Sequence, residues 1–262
     1  MTIVTYDEHL LVRQHRGTLP VILTAPHGGS AKPEQVALRK QTETPAGCDF
    51  QTSRDNETAA MTEAVAQQIL DLTGLSPYVV IAEFHRKYID VNRSEACAFT
   101  DPDALPFYLE YHARVAEFVA EVLRQNQGRG FLFDIHGTQV ITNDPADIYL
   151  GTANGASLPA GFDRRSLFLQ HGLHGLLASA RHLAGPEGQG PIFSYRVSPV
   201  DAAVLETSAV SGGFTLQHYG IAINCIQVEI ANTVRDDPAT RARFIADLAL
   251  AIINFVRRHA PF

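Results

Sequence analysis

Cysteine is scarce in this chain, which has only three among its 262 residues: Cys48, Cys97 and Cys225. So few thiols, odd in number and widely spaced, predict neither a disulfide framework nor a cysteine zinc site. A metal site would instead be built from histidine and carboxylate side chains, and the chain has 11 histidines. Without a disulfide framework, the cytoplasm is the expected compartment.

Positive charge is in short supply as well, because 21 lysines and arginines stand against 28 aspartates and glutamates, for a net charge of -7. This balance argues against a nucleic-acid backbone or an acidic membrane surface as the main partner. The chain also lacks an apolar run of membrane-spanning length, and its first residues show no basic region followed by an apolar one. We therefore expect no nucleic-acid partner, no membrane partner and no targeting segment.

Internal repeats and low-complexity linkers are absent too, so we predict a single domain over residues 1–262. Short apolar runs alternate with amphipathic segments, which predicts an α/β fold with a central mixed sheet and helices on both faces. Besides an edge hairpin within residues 1–19, strands are predicted at 21–25, 78–84, 131–134, 191–197 and 221–230. Helices are predicted from residue 61 to Gly74 and at 103–125, 164–183 and 238–258, the third closed by Gly185-Pro186.

Two predicted strands end in a histidine that is followed by glycine. In the stretch VILTAPHGGS at 21–30, Pro26 stops the strand and His27 precedes two glycines. In FLFDIHG at 131–137, Asp134 and His136 lie on the same side of the strand because side chains alternate. Open α/β sheets place their sites at such strand ends, so the pair predicts a metal site completed by a carboxylate. The alternative is two unrelated histidines, each held by the backbone of a turn.

One carboxylate at the start of the first predicted helix, Asp55, is a candidate to complete that site. Asp55 has an ordinary interpretation as a helix cap or as a partner of the helix dipole. It can also meet His27 across the junction between strand and helix. The connection before it, residues 31–53, is long for a compact domain, and such length is typical of a functional or mobile segment such as a lid.

Two further segments carry charges that need a reason. Residues 85–93 follow a buried strand and read HRKYIDVNR, so Arg86, Asn92 and Arg93 offer donors that suit a carboxylate. The alternative is a solvated basic loop paired with its own acids, Asp90 and Glu95.

Later, Glu229 shares one face of an otherwise apolar strand with Gln227, which is costly unless the carboxylate is partnered or functional. The alternative there is an edge strand that leaves the carboxylate in solvent.

Taken in order, these motifs resemble the N-formylglutamate amidohydrolase (N-formylglutamate deformylase) family. The motifs are PHGG at 26–29, Asp55, HR at 85–86, DVNR at 90–93, DIHG at 134–137 and QVEI at 227–230. The resemblance implies a zinc-carboxypeptidase-like (phosphorylase/hydrolase-like) fold, which is a three-layer α/β/α arrangement around a mixed sheet. Two departures are the first glycine of PHGG, where these deformylases usually read PHAG, and the absence of a tryptophan after the acidic pair.

The resemblance also implies roles for the residues at matching positions. The metal ligands of one Zn²⁺ would be His27, Asp55 and His136, with Asp55 preferred to Glu57 because a small residue follows it three positions later. Glu229 would be the catalytic base, and Arg86, Asn92 and Arg93 would bind the substrate carboxylate.

The expected protein is a cytoplasmic, metal-dependent amidohydrolase. Its expected partner is a small-molecule N-acyl amino acid similar to N-formyl-L-glutamate. The alternatives are a carboxypeptidase or cell-wall amidase on the same fold, and a ligand-binding module that has lost catalysis.

Overall fold

The computed structural model describes residues 2–159, 162–180, 182–183 and 192–262. The strands in these ranges are β1 (Asp7–His9), β2 (Val12–His15), β3 (Val21–Ala25), β4 (Tyr78–Ala82), β5 (Phe131–Thr138), β6 (Ile148–Gly151), β7 (His182–Leu183), β8 (Ile192–Phe193), β9 (Val197–Ser198) and β10 (Asn224–Ala231). The α-helices are α1 (Thr58–Thr73), α2 (Glu95–Ala98), α3 (Leu105–Gln125), α4 (Leu173–Ser179), α5 (Phe214–Tyr219), α6 (Asn232–Arg235) and α7 (Pro238–His259). None of the described helices is long and apolar enough to cross a bilayer.

A mixed sheet forms the centre of the molecule, and its eight strands among the described residues run in the order β1-β2-β4-β3-β5-β10-β6-β9. The four central strands, β4, β3, β5 and β10, are parallel, whereas β2 and β6 flank them antiparallel. Because β3 pairs directly with β5, the two predicted histidine-bearing strands are neighbours. The carboxyl ends of the parallel strands therefore open onto one edge of the sheet.

Helices cover both faces of the sheet, and the predicted α/β/α architecture is confirmed. Strand β3 is buried along its whole length, and its side chains alternate between two cores. Val21 and Leu23 pack with α1, α4 and α7, whereas Ile22 packs with α3 and α5 on the opposite face. An apolar run buried on both faces is the pattern expected of a central parallel strand.

The predicted helix over 164–183 is wrong. The chain forms a 3₁₀ turn at Arg164–Leu167 and a separate helix, α4, because it folds back sharply between them. A Cβ placed on Gly172 would lie 2.2 Å from the carbonyl oxygens of Ser166 and Leu167, so only glycine fits this close approach. The predicted closure at Gly185-Pro186 lies outside the described residues. Pro191, the first residue of the strand predicted over 191–197, also lies outside the described residues. The rest of that predicted strand is interrupted and forms only the short strands β8 and β9.

A disulfide joins Cys48 to Cys97, although the small number and wide spacing of the cysteines predict no disulfide framework; Cys225 is buried and free. The two partners are 49 residues apart in sequence but lie together because residues 31–53 fold back along the segment after β4. Buried Arg39 anchors the fold-back, since its guanidinium donates to the carbonyl oxygens of Gln51, Arg86 and Cys97. Because the chain contains a disulfide, its cysteine content no longer supports a cytoplasmic location.

Candidate active site

Two histidines meet at the carboxyl edge of the sheet. His27 follows the end of β3, His136 lies within β5, and their ring centroids are 4.8 Å apart in an edge-to-face arrangement. The start of α1 is fixed beside them, because the Asp55 amide donates to the His27 carbonyl at 3.0 Å. Gly28 allows this packing: a Cβ at that position would lie 2.4 Å from the Ala59 amide nitrogen. The junction therefore carries the Asp55 carboxylate to the histidine pair.

One oxygen of Asp55 faces a nitrogen of each histidine. Asp55 Oδ2 lies 3.4 Å from His27 Nδ1 and 3.1 Å from His136 Nδ1. His27 Nδ1 is buried and has no hydrogen-bond partner among the described residues, which is costly for a ring nitrogen unless a ligand completes it. Two imidazole nitrogens and one carboxylate oxygen, each within 4.8 Å of the others, form a donor set that suits a divalent metal ion.

The far side of each imidazole is held by a second, fully buried carboxylate. His27 Nε2 donates to Asp90 Oδ1 at 2.7 Å, and His136 Nε2 donates to Asp134 Oδ2 at 2.9 Å. In a neutral ring, a proton on Nε2 leaves the Nδ1 lone pair free, so each ring can offer Nδ1, the nitrogen on the Asp55 side, to a metal ion. Carboxylates that orient metal-binding histidines in this way are a regular feature of metal centres.

The acids and histidines of this cluster perturb one another strongly. Burial alone would raise the pKa of Asp55, but the neighbouring His136 and His27 outweigh it and hold that pKa below its usual range. Burial alone would lower the pKa of His136, but Asp134 and Asp55 raise it well above the ordinary value. The negative charge concentrated around these imidazoles is therefore suited to a cation, whether a proton or a metal ion.

Glu229 lies beside this cluster on the adjacent strand. The parallel register of β10 and β5 pairs it with His136, and β10 is an inner strand between β5 and β6. The alternative of a solvated edge strand is thus excluded, since Glu229 is only 8% exposed. Burial raises the pKa of its carboxyl group to about 7, and the Gln227 amide donates to its Oε1 at 2.8 Å.

A cavity of about 690 Å³ opens above the cluster, and Arg86, Asn92 and Arg93 all line it. Each of the three is already engaged. Arg86 donates to the buried Asp90 Oδ2 at 2.6 Å, and Asn92 Oδ1 accepts from the Thr215 amide at 2.8 Å. Arg93 points to the loop of residues 31–53, where it binds Asp49.

Comparison with solved structures identifies the architecture. An N-formylglutamate amidohydrolase from Ralstonia eutropha JMP134 superposes with a TM-score of 0.64 over 95% of this chain and 99% of the other, at 17% identity. A gene product of Agrobacterium tumefaciens superposes with a TM-score of 0.57 over 95% and 96%, at 15% identity. The chain has the N-formylglutamate amidohydrolase fold. No family model matches its sequence, and no curated protein does.

Within the N-formylglutamate amidohydrolase fold, sequence reasoning misses the role of Asp90 and three side chains that line the cavity. Asp90 is fully buried behind His27, and its position in DVNR beside the cations is a signal for a buried ion pair. Arg54 and Arg235 add two guanidinium groups to the lining, and Asp49 adds a carboxylate. These three side chains stand in polar stretches with no periodic pattern, so only tertiary structure brings them to the cavity.

Glu57, the competing carboxylate, faces away from the histidines in the same fold. Its backbone has a φ of 69°, and its half-exposed side chain pairs with Arg241 at 3.4 Å. Of the two acids at the start of α1, only Asp55 therefore lies within reach of His27 and His136.

Proposed function

We propose that the protein is a metal-dependent amidohydrolase that cleaves a small N-acyl amino acid, with N-formyl-L-glutamate as the reference substrate. The observation that carries the proposal is the convergence of two buried histidine nitrogens on one carboxylate, next to a buried glutamate, under a cavity lined by cations. The shared fold with an N-formylglutamate amidohydrolase supports the same reaction class.

The residues present fit one divalent ion, which His27, Asp55 and His136 would hold, and Zn²⁺ is the ion that this donor set suits. When bound, such an ion polarises an amide carbonyl and lowers the pKa of a water molecule at the site. Asp90 and Asp134 fix the ring orientation of the two histidines through their Nε2 atoms.

Glu229 is the group that we assign to proton transfer. Its carboxylate accepts a proton from the attacking water and delivers it to the leaving amine nitrogen. A pKa of about 7 suits both steps, because the group is a competent base and a competent acid near neutral pH. Gln227 holds one of its oxygens and leaves the other available.

The cavity favours a small anionic substrate. Four arginines line it, and we assign the substrate carboxylate to Arg93, with Arg86 and Asn92 fixing the surrounding backbone and ion pairs. The loop of residues 31–53 contributes to the cavity wall and is tied down by the disulfide, which disfavours the long groove that a carboxypeptidase or cell-wall amidase needs.

Metal content and a substrate screen test the proposal together. Purified protein should contain about one equivalent of zinc by elemental analysis, and it should release amine and acid from N-formyl-L-glutamate. His27→Ala and His136→Ala should lose both the bound zinc and the hydrolysis. The matched control is His171→Ala, which replaces an exposed histidine and should keep both. Full metal content in either site variant would show that the ligands are wrongly assigned. Metal without release from any N-formyl or N-acetyl amino acid would refute the amidohydrolase assignment.

A further inference from the structure

Arg93 lies at the cavity, yet none of its three guanidinium nitrogens is free. Nε donates to the Asp49 carbonyl at 2.9 Å, and Nη2 donates to the Asp49 carboxylate at 2.5 Å. Nη1 donates to the Asn92 carbonyl at 2.9 Å. Asp49 thus occupies the Nε–Nη2 edge of the guanidinium, so a substrate carboxylate that is to pair with Nη2 on this edge must replace a carboxylate of the protein itself.

The two partners differ in how firmly they are held. The Arg93 side chain is 17% exposed, whereas the Asp49 side chain is 66% exposed and can rotate into water. Arg93 is fixed further by its neighbours, since the Tyr108 hydroxyl donates to its carbonyl at 3.1 Å. The exposed Asp49 carboxylate is therefore the partner that can be exchanged while the arginine stays in place.

The fold keeps Asp49 close to Arg93 even when the ion pair opens. Cys48 precedes Asp49 directly, and its disulfide partner, Cys97, lies just beyond Arg93 in the chain. On the other side of Asp49, the Gln51 carbonyl accepts from Arg39 at 2.9 Å. A carboxylate held on both sides in this way returns to the arginine when a ligand leaves, because its local concentration is high.

We propose that Asp49 is a specificity-determining residue, an internal carboxylate that occupies Arg93 in the free protein and yields to the carboxylate of the substrate. The inference rests on the proposed function in one respect, the assignment of the substrate carboxylate to Arg93. A carboxylate ligand replaces one ion pair with another, so Arg93 stays paired throughout. A neutral ligand offers no such exchange, leaves Asp49 in place and finds this part of the cavity closed.

Calorimetric titration with glutarate tests the exchange without requiring hydrolysis, because glutarate carries two carboxylates and no amide. Removing the competitor in Asp49→Asn should lower the Kd for glutarate about two- to fivefold, the range that one exposed ion pair produces. The gain should vanish when Asp49→Asn is placed in an Arg93→Gln background. The matched control is Glu43→Gln, which removes an ion-paired carboxylate from the same loop outside the cavity and should leave the Kd unchanged.

Several results would overturn the inference. An unchanged or higher Kd in Asp49→Asn would mean that the carboxylate only braces the loop. An equal gain in the Arg93→Gln background, or the same gain in Glu43→Gln, would reduce the effect to a general change of charge. Failure of both Asp49→Asn and Asp49→Ser to fold, or absence of glutarate binding in every variant, would also refute it.

Hydrolysis of N-formyl-L-glutamate is measured separately, so the two proposals fail separately. A glutarate shift without hydrolysis refutes the proposed function alone, and hydrolysis without the shift refutes the exchange alone.

Discussion

Asp134→Asn isolates what the buried carboxylate behind His136 contributes to the candidate metal centre. In the structure, Asp134 Oδ1 accepts from the Thr24 hydroxyl at 2.6 Å, and Oδ2 accepts from His136 Nε2 at 2.9 Å. Asparagine can keep both contacts, because its carbonyl accepts from the imidazole and its amide donates to a hydroxyl that can rotate. The substitution therefore removes the charge and leaves the shape and the contacts.

Without that negative charge, the Nδ1 lone pair of the imidazole is a weaker ligand for a metal ion. Removing such an outer carboxylate costs about 10- to 100-fold in metal affinity, which equals about 1.4–2.7 kcal/mol of binding free energy. Thr24→Val serves as the graded control, because it removes one hydrogen bond to Asp134 and keeps the carboxylate. Its effect on metal affinity should be smaller than that of Asp134→Asn.

The assay is a competition titration of zinc against a chromophoric chelator, with the folded state checked by circular dichroism. An Asp134→Asn protein that remains folded and binds zinc as tightly as the parent would refute the reasoning. Equal losses in Asp134→Asn and Thr24→Val would also contradict it, because the effect would then follow the hydrogen-bond network and not the charge.

Four further predictions address the other parts of the site. Glu229→Gln should lower kcat about 10²- to 10⁴-fold with the metal still bound, and near-normal turnover would remove this residue from the mechanism. Arg93→Lys keeps the charge but loses the planar fork, so KM should rise for a free acid and much less for its methyl ester; equal effects on the two would contradict the carboxylate assignment. Proton transfer needs the ionised form of Glu229, so kcat/KM should fall as the pH drops through about 7, and a rate independent of pH from 5 to 8 would argue against it. Replacing both Cys48 and Cys97 by serine opens a loop whose ends are 49 residues apart, which should lower the free energy of unfolding by about 2–4 kcal/mol in denaturant titrations; an unchanged value would mean that the disulfide does not stabilise the fold.

Sequence patterns predicted the parts of the structure that depend on local periodicity. The apolar runs predict the strands β3, β5 and β10. Because side chains alternate along a strand, the same pattern predicts that His136 shares a face with Asp134, and Glu229 with Gln227. The helix predicted over 238–258 rests on its apolar stripe, which is a local signal, and the structure forms α7 there with Asp237 as its N-cap. The histidine pair followed from two strand ends that parallel pairing brings together.

The parts that escaped prediction depend on contacts between distant segments. The pairing of Cys48 with Cys97 depends on how residues 31–53 fold back, and no periodic signal records that path. Asp90 stands next to cations in sequence, but its contact with His27 spans 63 residues. The break at Gly172 interrupts a segment whose composition suits a helix, because tertiary packing overrides weak local propensity there.

The three donor atoms of the candidate centre come from separate parts of the chain, and 81 residues separate Asp55 from His136. An unfolded chain cannot hold them in one place, so an ion that binds the native state shifts the folding equilibrium by mass action. At a free metal concentration 100 times the Kd, this linkage adds about 2.7 kcal/mol to the free energy of unfolding. Chelation would then lower the melting temperature as well as the proposed activity, and the thermal stability of the protein would depend on the metal supply of its surroundings.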